Sequence, residues 1–192
     1  MSSRWHTTIK GFIGLATVAT LTAACQSNTY YIKGEALYLP DGATLYLCNL
    51  NTGTSPTLLD SFTVSKGRFH YSATTDSASL CRLYAKSHPA SSVMLFIEPG
   101  NIYVELHREE GRSRVSGTVV NNQWQALNDT VAKYDARLRL IMKNSGDSIS
   151  PRHMYKQVSE IYDILSRRIH EAALNNRDNA FGHFIATHYH QH

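Results

Sequence analysis

The sequence predicts an α+β fold: an antiparallel β-sandwich of about eight strands followed by an antiparallel helical hairpin. Residues 30–118 are short runs rich in Tyr, Leu, Val and Phe, divided by turn signals. From residue 119 the apolar period lengthens to that of a helix. The helical part holds two apolar stripes joined by a short polar link, the pattern of a hairpin.

Strands are expected at about Tyr30–Leu39, Thr44–Leu50, Thr57–Val64, Arg68–Ser72, Ser79–Lys86, Val93–Glu98, Ile102–Leu106 and Ser113–Ser116. Asp41-Gly42, Lys66-Gly67 and Pro99-Gly100-Asn101 mark the turns, where glycine supplies a positive φ that other residues resist. Ile102, Val104 and Leu106 alternate with Tyr103, Glu105 and His107, as in a half-buried strand. Val93–Ile97 is apolar throughout and reads as a central strand covered on both faces.

In the helical part, Trp124, Leu127, Val131, Tyr134, Leu138 and Ile141 form one stripe down a helix of about six turns. Asn144–Gly146 ends that helix, and Ser150-Pro151 opens the next with a capping residue and a proline at its first position. Met154, Val158, Ile161, Leu165 and Ile169 give the second helix a matching stripe. Such stripes bury against each other or against an open face of the sandwich. Residues 176–192 are expected to form a short helix and a histidine-rich tail.

The amino-terminal end carries a different signal. Arg4 and Lys10 precede an apolar run from Gly11 to Leu21, too short to span a bilayer, and Ala23-Ala24 then lead to Cys25. Residues 1–24 therefore read as a lipoprotein signal peptide, with Cys25 as the lipidated first residue of the mature chain and residues 25–29 as its tether. The lipobox pattern is offset at one point, since the large aliphatic is Leu21 and Thr22 stands in its preferred place. A lipid anchor at Cys25 holds a chain on a membrane without crossing it. Gln26 is not the aspartate associated with inner-membrane retention, so the expected location is the periplasmic face of the outer membrane.

Composition narrows the function. Loss of Arg4 and Lys10 with the leader lowers the formal charge from +4 to +2, and the basic residues are scattered, which is no nucleic-acid footprint. Cys48 and Cys81 both fall in expected strands, and two readings stay open for them. In an oxidising compartment they form a disulfide closing a loop of about 33 residues; otherwise they are two separate buried thiols. The tail histidines His183, His188, His190 and His192 are candidate metal ligands, against the alternative of a frayed polar terminus. His170-Glu171 begins a zincin-like pattern, but Leu174 stands where its second histidine belongs. Glu109 and Glu110 are adjacent in an expected loop, which points them apart. No phosphate-binding loop, dinucleotide fingerprint or nucleophile elbow is present in the sequence, and no cofactor is expected.

Four pieces in order, "YYIKGEA", "LLDSFTVSKGRFHYSA", "LFIEPGNIYVEL" and "VSGTVVNNQWQALN", resemble the β-rich domain of unknown function at the N-terminus of periplasmic lipoproteins that carry a C-terminal thioredoxin-like domain. The matching positions are Ile32 and Gly34, then Asp60, Ser61, Val64, Gly67 and Phe69, then Glu98, Pro99, Gly100 and Ile102, and finally Gly117, Thr118 and Asn121. The resemblance covers roughly residues 30–182. In the longer relatives, a stretch like "NNRDNAFGHFIA" leads toward a Cys-x-x-Cys domain, whereas here the cysteines are 25, 48 and 81 and no two are three positions apart. Exchange chemistry needs an accessible thiolate and a resolving partner. The expectation is a non-catalytic envelope lipoprotein that binds or scaffolds another envelope component; the alternative is the N-terminal part of a periplasmic thiol-disulfide oxidoreductase.

Overall fold

The computed structural model describes residues 28–50, 55–144 and 150–189. Eight strands precede three helices: β1 (Thr29–Glu35), β2 (Thr44–Asn49), β3 (Thr57–Thr63), β4 (Arg68–Thr74), β5 (Ser79–Ala85), β6 (His88–Ile97), β7 (Gly100–Glu105), β8 (Arg114–Ser116), α1 (Val119–Asn144), α2 (Pro151–Asn175) and α3 (Ala180–Tyr189). The strands form two four-stranded sheets, ordered β4-β1-β7-β8 and β3-β2-β5-β6. All pairs are antiparallel except β1 and β7, which run parallel with Ile32 opposite Ile102. A parallel pair needs a long crossover. Here the whole second sheet lies between the two strands in sequence.

Alternation decides what each sheet buries. In the first sheet Tyr30, Ile32, Phe69, Ile102, Val104 and Val115 point inward, and in the second Leu45, Leu47, Cys81, Leu83, Leu95 and Ile97 meet them. Gly34 is required at its position, because a Cβ there would overlap the Val104 carbonyl and the Phe69 ring. β1 stops at Glu35, four residues short of the expected Leu39, since the chain turns where the Leu39 N–H donates to the Ala36 carbonyl. The β3–β4 connection, which carries the chain from one sheet to the other, holds the expected hairpin-type turn at Lys66-Gly67. Lys66 and Gly67 both have positive φ, and Ser65 and Arg68 exchange backbone hydrogen bonds.

One strand differs from expectation in a way that matters for function. β6 is the edge strand of its sheet and not a central one, and of its apolar run the inner face and Phe96 are covered while Met94 stays exposed. Its inner face meets the sandwich core. Its outer face, at Phe96 beside Leu80, is covered by Trp124 of α1 and by Phe181 and Phe184 of α3. The helices therefore form a third layer.

The helical hairpin has two halves. The first turns of α1 and the end of α2 join the main core, which runs from Tyr30 to Ile185. The distal half has its own small core, Ile141, Ile161 and Leu165, with Tyr134, Leu138, Met154 and Val158 packed around it. The 3.6-residue stripes thus serve both expected purposes, sandwich contact first and helix-on-helix contact beyond it.

Candidate functional site

A network of side-chain hydrogen bonds lies where α1 meets the sandwich. An edge strand exposes unpaired N–H and C=O groups. At Phe96 of β6 they are taken by one residue: the N–H donates to Asn121 Oδ1 at 2.8 Å, and the carbonyl accepts from Asn121 Nδ2 at 2.7 Å. The Asn121 amide imitates a neighbouring strand. It is fully buried, and its second N–H is held by Thr118 Oγ1 at 2.8 Å. Trp124 Nε1 donates to the Met94 carbonyl at 3.0 Å, one ladder step further along β6. The β8 edge is closed in the same way, by Val115 N–H on Gln125 Oε1 and Gly117 N–H on Asn122 Oδ1. The Val120 N–H at the helix start donates to Glu98 Oε1 at 3.0 Å. Gly117 has φ +108° and sits against the Asn101 carbonyl, where no side chain fits.

These contacts give physical meaning to the fourth sequence piece, "VSGTVVNNQWQALN". Its polar residues seal the β6 and β8 edges of the sandwich while its tryptophan fills the outer face. Sequence reasoning marked Asn121 as a helix start and missed its role on the edge. The usable signal was a pair of asparagines and a glutamine on the first turns of a helix whose apolar stripe is otherwise regular.

Cys48 and Cys81 are both buried and both free. In the β2–β5 register Cys48 lies opposite Arg82 and Cys81 opposite Asn49. Successive residues of a strand face opposite ways, so Cys81 faces the sandwich core and Cys48 the outer side of the same sheet. The candidate disulfide is absent for this reason. Cys48 Sγ lies 4.0 Å from the Tyr84 hydroxyl, and Cys81 Sγ lies 3.7 Å from Ser79 Oγ. Burial pushes the Cys81 thiol up to about 11, which keeps it protonated and unreactive at neutral pH.

Cys25 lies outside the described residues, as do the leader and His190 and His192. His183 and His188 are on α3, exposed; the His188 ring stacks against Phe184 and its Nδ1 is 3.0 Å from the Phe184 carbonyl. Among the described residues no three His, Cys, Asp or Glu side chains converge on a metal position. Glu171 pairs with Arg168 at 3.0 Å on the exposed side of α2, and Glu109 and Glu110 are exposed in the turn before β8.

Inside the β3–β4 edge the Tyr30 and Tyr71 rings lie 6.0 Å apart, with the Asp60 carboxylate beside the Tyr71 hydroxyl. Burial, and then the neighbouring phenol, raises Tyr30 well above its ordinary value, and burial raises Tyr71. Both phenols stay protonated. Phe62 stacks on Tyr71 at 4.9 Å, so the group closes this end of the sandwich. Open grooves lie elsewhere on the surface. A groove of about 1150 Å³ crosses the uncovered face of the first sheet, between Lys33, Arg68, His70, Tyr103 and Arg114. A more apolar one of about 900 Å³ runs between the helices, floored by Val131, Leu165, Ile169 and Ile185.

Residues 30–124 match the family described as a domain of unknown function (DUF4369). This segment belongs to that family. The match spans both sheets and ends at Trp124, inside the edge-sealing turns of α1, so the DUF4369 unit is the sandwich together with the residues that close it. The distal hairpin and α3 lie beyond the match. No curated protein matches the chain. Among the described residues no helix is long and apolar enough to cross a membrane.

Proposed function

We propose that the mature chain is a non-catalytic envelope lipoprotein, lipidated at Cys25 and held on the periplasmic face of the outer membrane, whose DUF4369 sandwich and helical hairpin bind another envelope component. The observation that carries the non-catalytic part is the separation of Cys48 and Cys81 on opposite faces of one sheet, both buried. Dithiol exchange needs two sulfurs within reach of each other and one accessible thiolate. The anchoring part rests on the sequence Leu21-Thr22-Ala23-Ala24-Cys25 and its basic and apolar flanks.

The test is insulin reduction by residues 26–192. Residues 30 and 185 bracket every member of both cores, so this segment holds its complete packing. No turnover above buffer is expected. Turnover that disappears in the Cys48→Ser, Cys81→Ser double variant would overturn the non-catalytic reading.

A further inference from the structure

α1 closes one side of the sandwich, at β6 and β8. The other side is formed by β3 and β4, the outer strands of their sheets, and among the described residues no strand pairs with them beyond β2 and β1. An edge strand offers unpaired backbone N–H and C=O groups to a further strand. Proteins guard such edges with lysine or proline, and β3 contains neither. It is exposed along nearly its whole length, with Leu58 54 % and Leu59 45 % exposed. Between the two edges the stacked rings of Phe62 and Tyr71 are half-buried, so core side chains also reach the surface here.

β3 and β4 are the arms of one hairpin-type turn and run antiparallel, each in a different sheet. Counted back from the Ser65–Arg68 bridge, Phe62 stands level with Tyr71, Ser61 with Ser72 and Asp60 with Ala73. The Phe62 and Tyr71 rings stack at 4.9 Å, as that level requires. Phe62 lies opposite Leu45 and Tyr71 opposite Ile32, both core residues, so these two face inward and the neighbouring Ser61 and Ser72 face outward.

We propose that this side is the interface of a symmetric dimer, in which β3 of each copy pairs with β4 of the other. A two-fold axis parallel to the strands leaves strand directions unchanged, so each β3 meets the second copy's β4 antiparallel, and each sheet continues into the opposite sheet of the second copy. Levels are kept as well: Phe62 meets Tyr71, Ser61 meets Ser72 and Asp60 meets Ala73. Inward residues therefore meet inward residues, these pairs oppose no like charges, and the small Ala73 leaves room for the Asp60 carboxylate. Pairing exchanges the local 2.6 Å bond from the Ser61 N–H to Asp60 for one across the interface. A second copy is the occupant because the side presents two edges at once. An extended peptide covers one and leaves the other open, whereas the same chain carries both at the same spacing and closes both. Both β1 strands then start at one end of the dimer, so two anchors at Cys25 would enter one membrane. The proposal stands on the sandwich edges and holds with or without that lipid.

The experiment is sedimentation equilibrium of residues 26–192, which hold every member of both cores, at concentrations from about 1 to about 100 μM. A dimer mass is expected at the upper end, and a monomer mass throughout would overturn the proposal. Ser61 and Ser72 are exposed and lie on opposite outer faces of one chain, so charges placed there meet only across the interface. The Ser61→Lys, Ser72→Lys variant opposes like charges in both composite sheets and should raise the dissociation constant about tenfold at unchanged circular dichroism. The Ser61→Lys, Ser72→Glu variant opposes unlike charges and should restore the dimer. A dimer that withstands the double lysine, or a lysine-glutamate variant that dissociates as far as the double lysine, would place the contact elsewhere and overturn the pairing.

Discussion

Asn121 shows how much one side chain decides here. Replacing it with alanine strands the Phe96 N–H and C=O in a dry interior, and each unpaired group costs about 1–3 kcal/mol. Asn121→Ala is therefore expected to lower unfolding free energy by roughly 2–5 kcal/mol in urea titrations; a loss within the noise would mean that water or a backbone shift replaces the amide. Asn121→Asp should fare no better, since it loses the donor to the Phe96 carbonyl and buries a charge. Gly34→Ala is a second such point, with an expected cost of about 1–3 kcal/mol from overpacking against Phe69. At this scale the sequence was only partly legible. Gly34, Gly67 and Asn121 stood out as motif positions, and Gly67 was read correctly as a turn. The amide on the β6 edge was hidden, because which strand lies at an edge depends on pairings between segments distant in sequence. The separation of Cys48 from Cys81 was hidden for the same reason: it follows from a register, and register is a tertiary property.

At the scale of elements, the helices were read closely and the strands less so. Stripes of 3.6-residue period and the Ser150-Pro151 start are local signals, and both long helices cover the expected residues. β6 was misplaced as central because its apolar run records burial, and burial there comes from a helical layer and not from a flanking strand. The distal hairpin, with a core of its own, is expected to open separately from the sandwich. Ile161→Ala should cost about 2–5 kcal/mol. By hydrogen exchange that loss should appear in α2 and the far half of α1 while β5 keeps its protection; a uniform loss would show one cooperative unit. The Arg114–Asp129 pair ties α1 to β8. Its hydrogen bonds hold the Asp129 carboxyl below its ordinary value, so its contribution is complete above the ordinary carboxylate range and is lost as pH falls through the lowered value. With both side chains about half exposed, solvent screening limits that contribution to about 0.5 kcal/mol. Asp129→Asn should remove it at pH 7 and leave stability at pH 2 unchanged.

For the whole molecule, the organisation is a two-sheet sandwich with a helical layer on one face, continued by a helical hairpin with a small core of its own. Its edges at β6 and β8 are closed by α1, its described thiols are divided by a sheet, and the proposed binding falls to its surface. The burial of Cys81 predicts slow alkylation by iodoacetamide at pH 8 in the native chain and fast alkylation in urea, because few of these thiols are ionised well below about 11. The central claim is that this surface is presented from a membrane by a lipid at Cys25. Its most direct test is the intact mass and membrane fractionation of the full chain and its Cys25→Ser variant, expressed in an envelope that processes lipoproteins. The account predicts a native chain that begins at residue 25, carries the added mass of acyl chains and stays with the membranes, and a variant that lacks the lipid and appears in the soluble fraction. A native chain without added mass, or a variant that remains equally with the membranes, would contradict it.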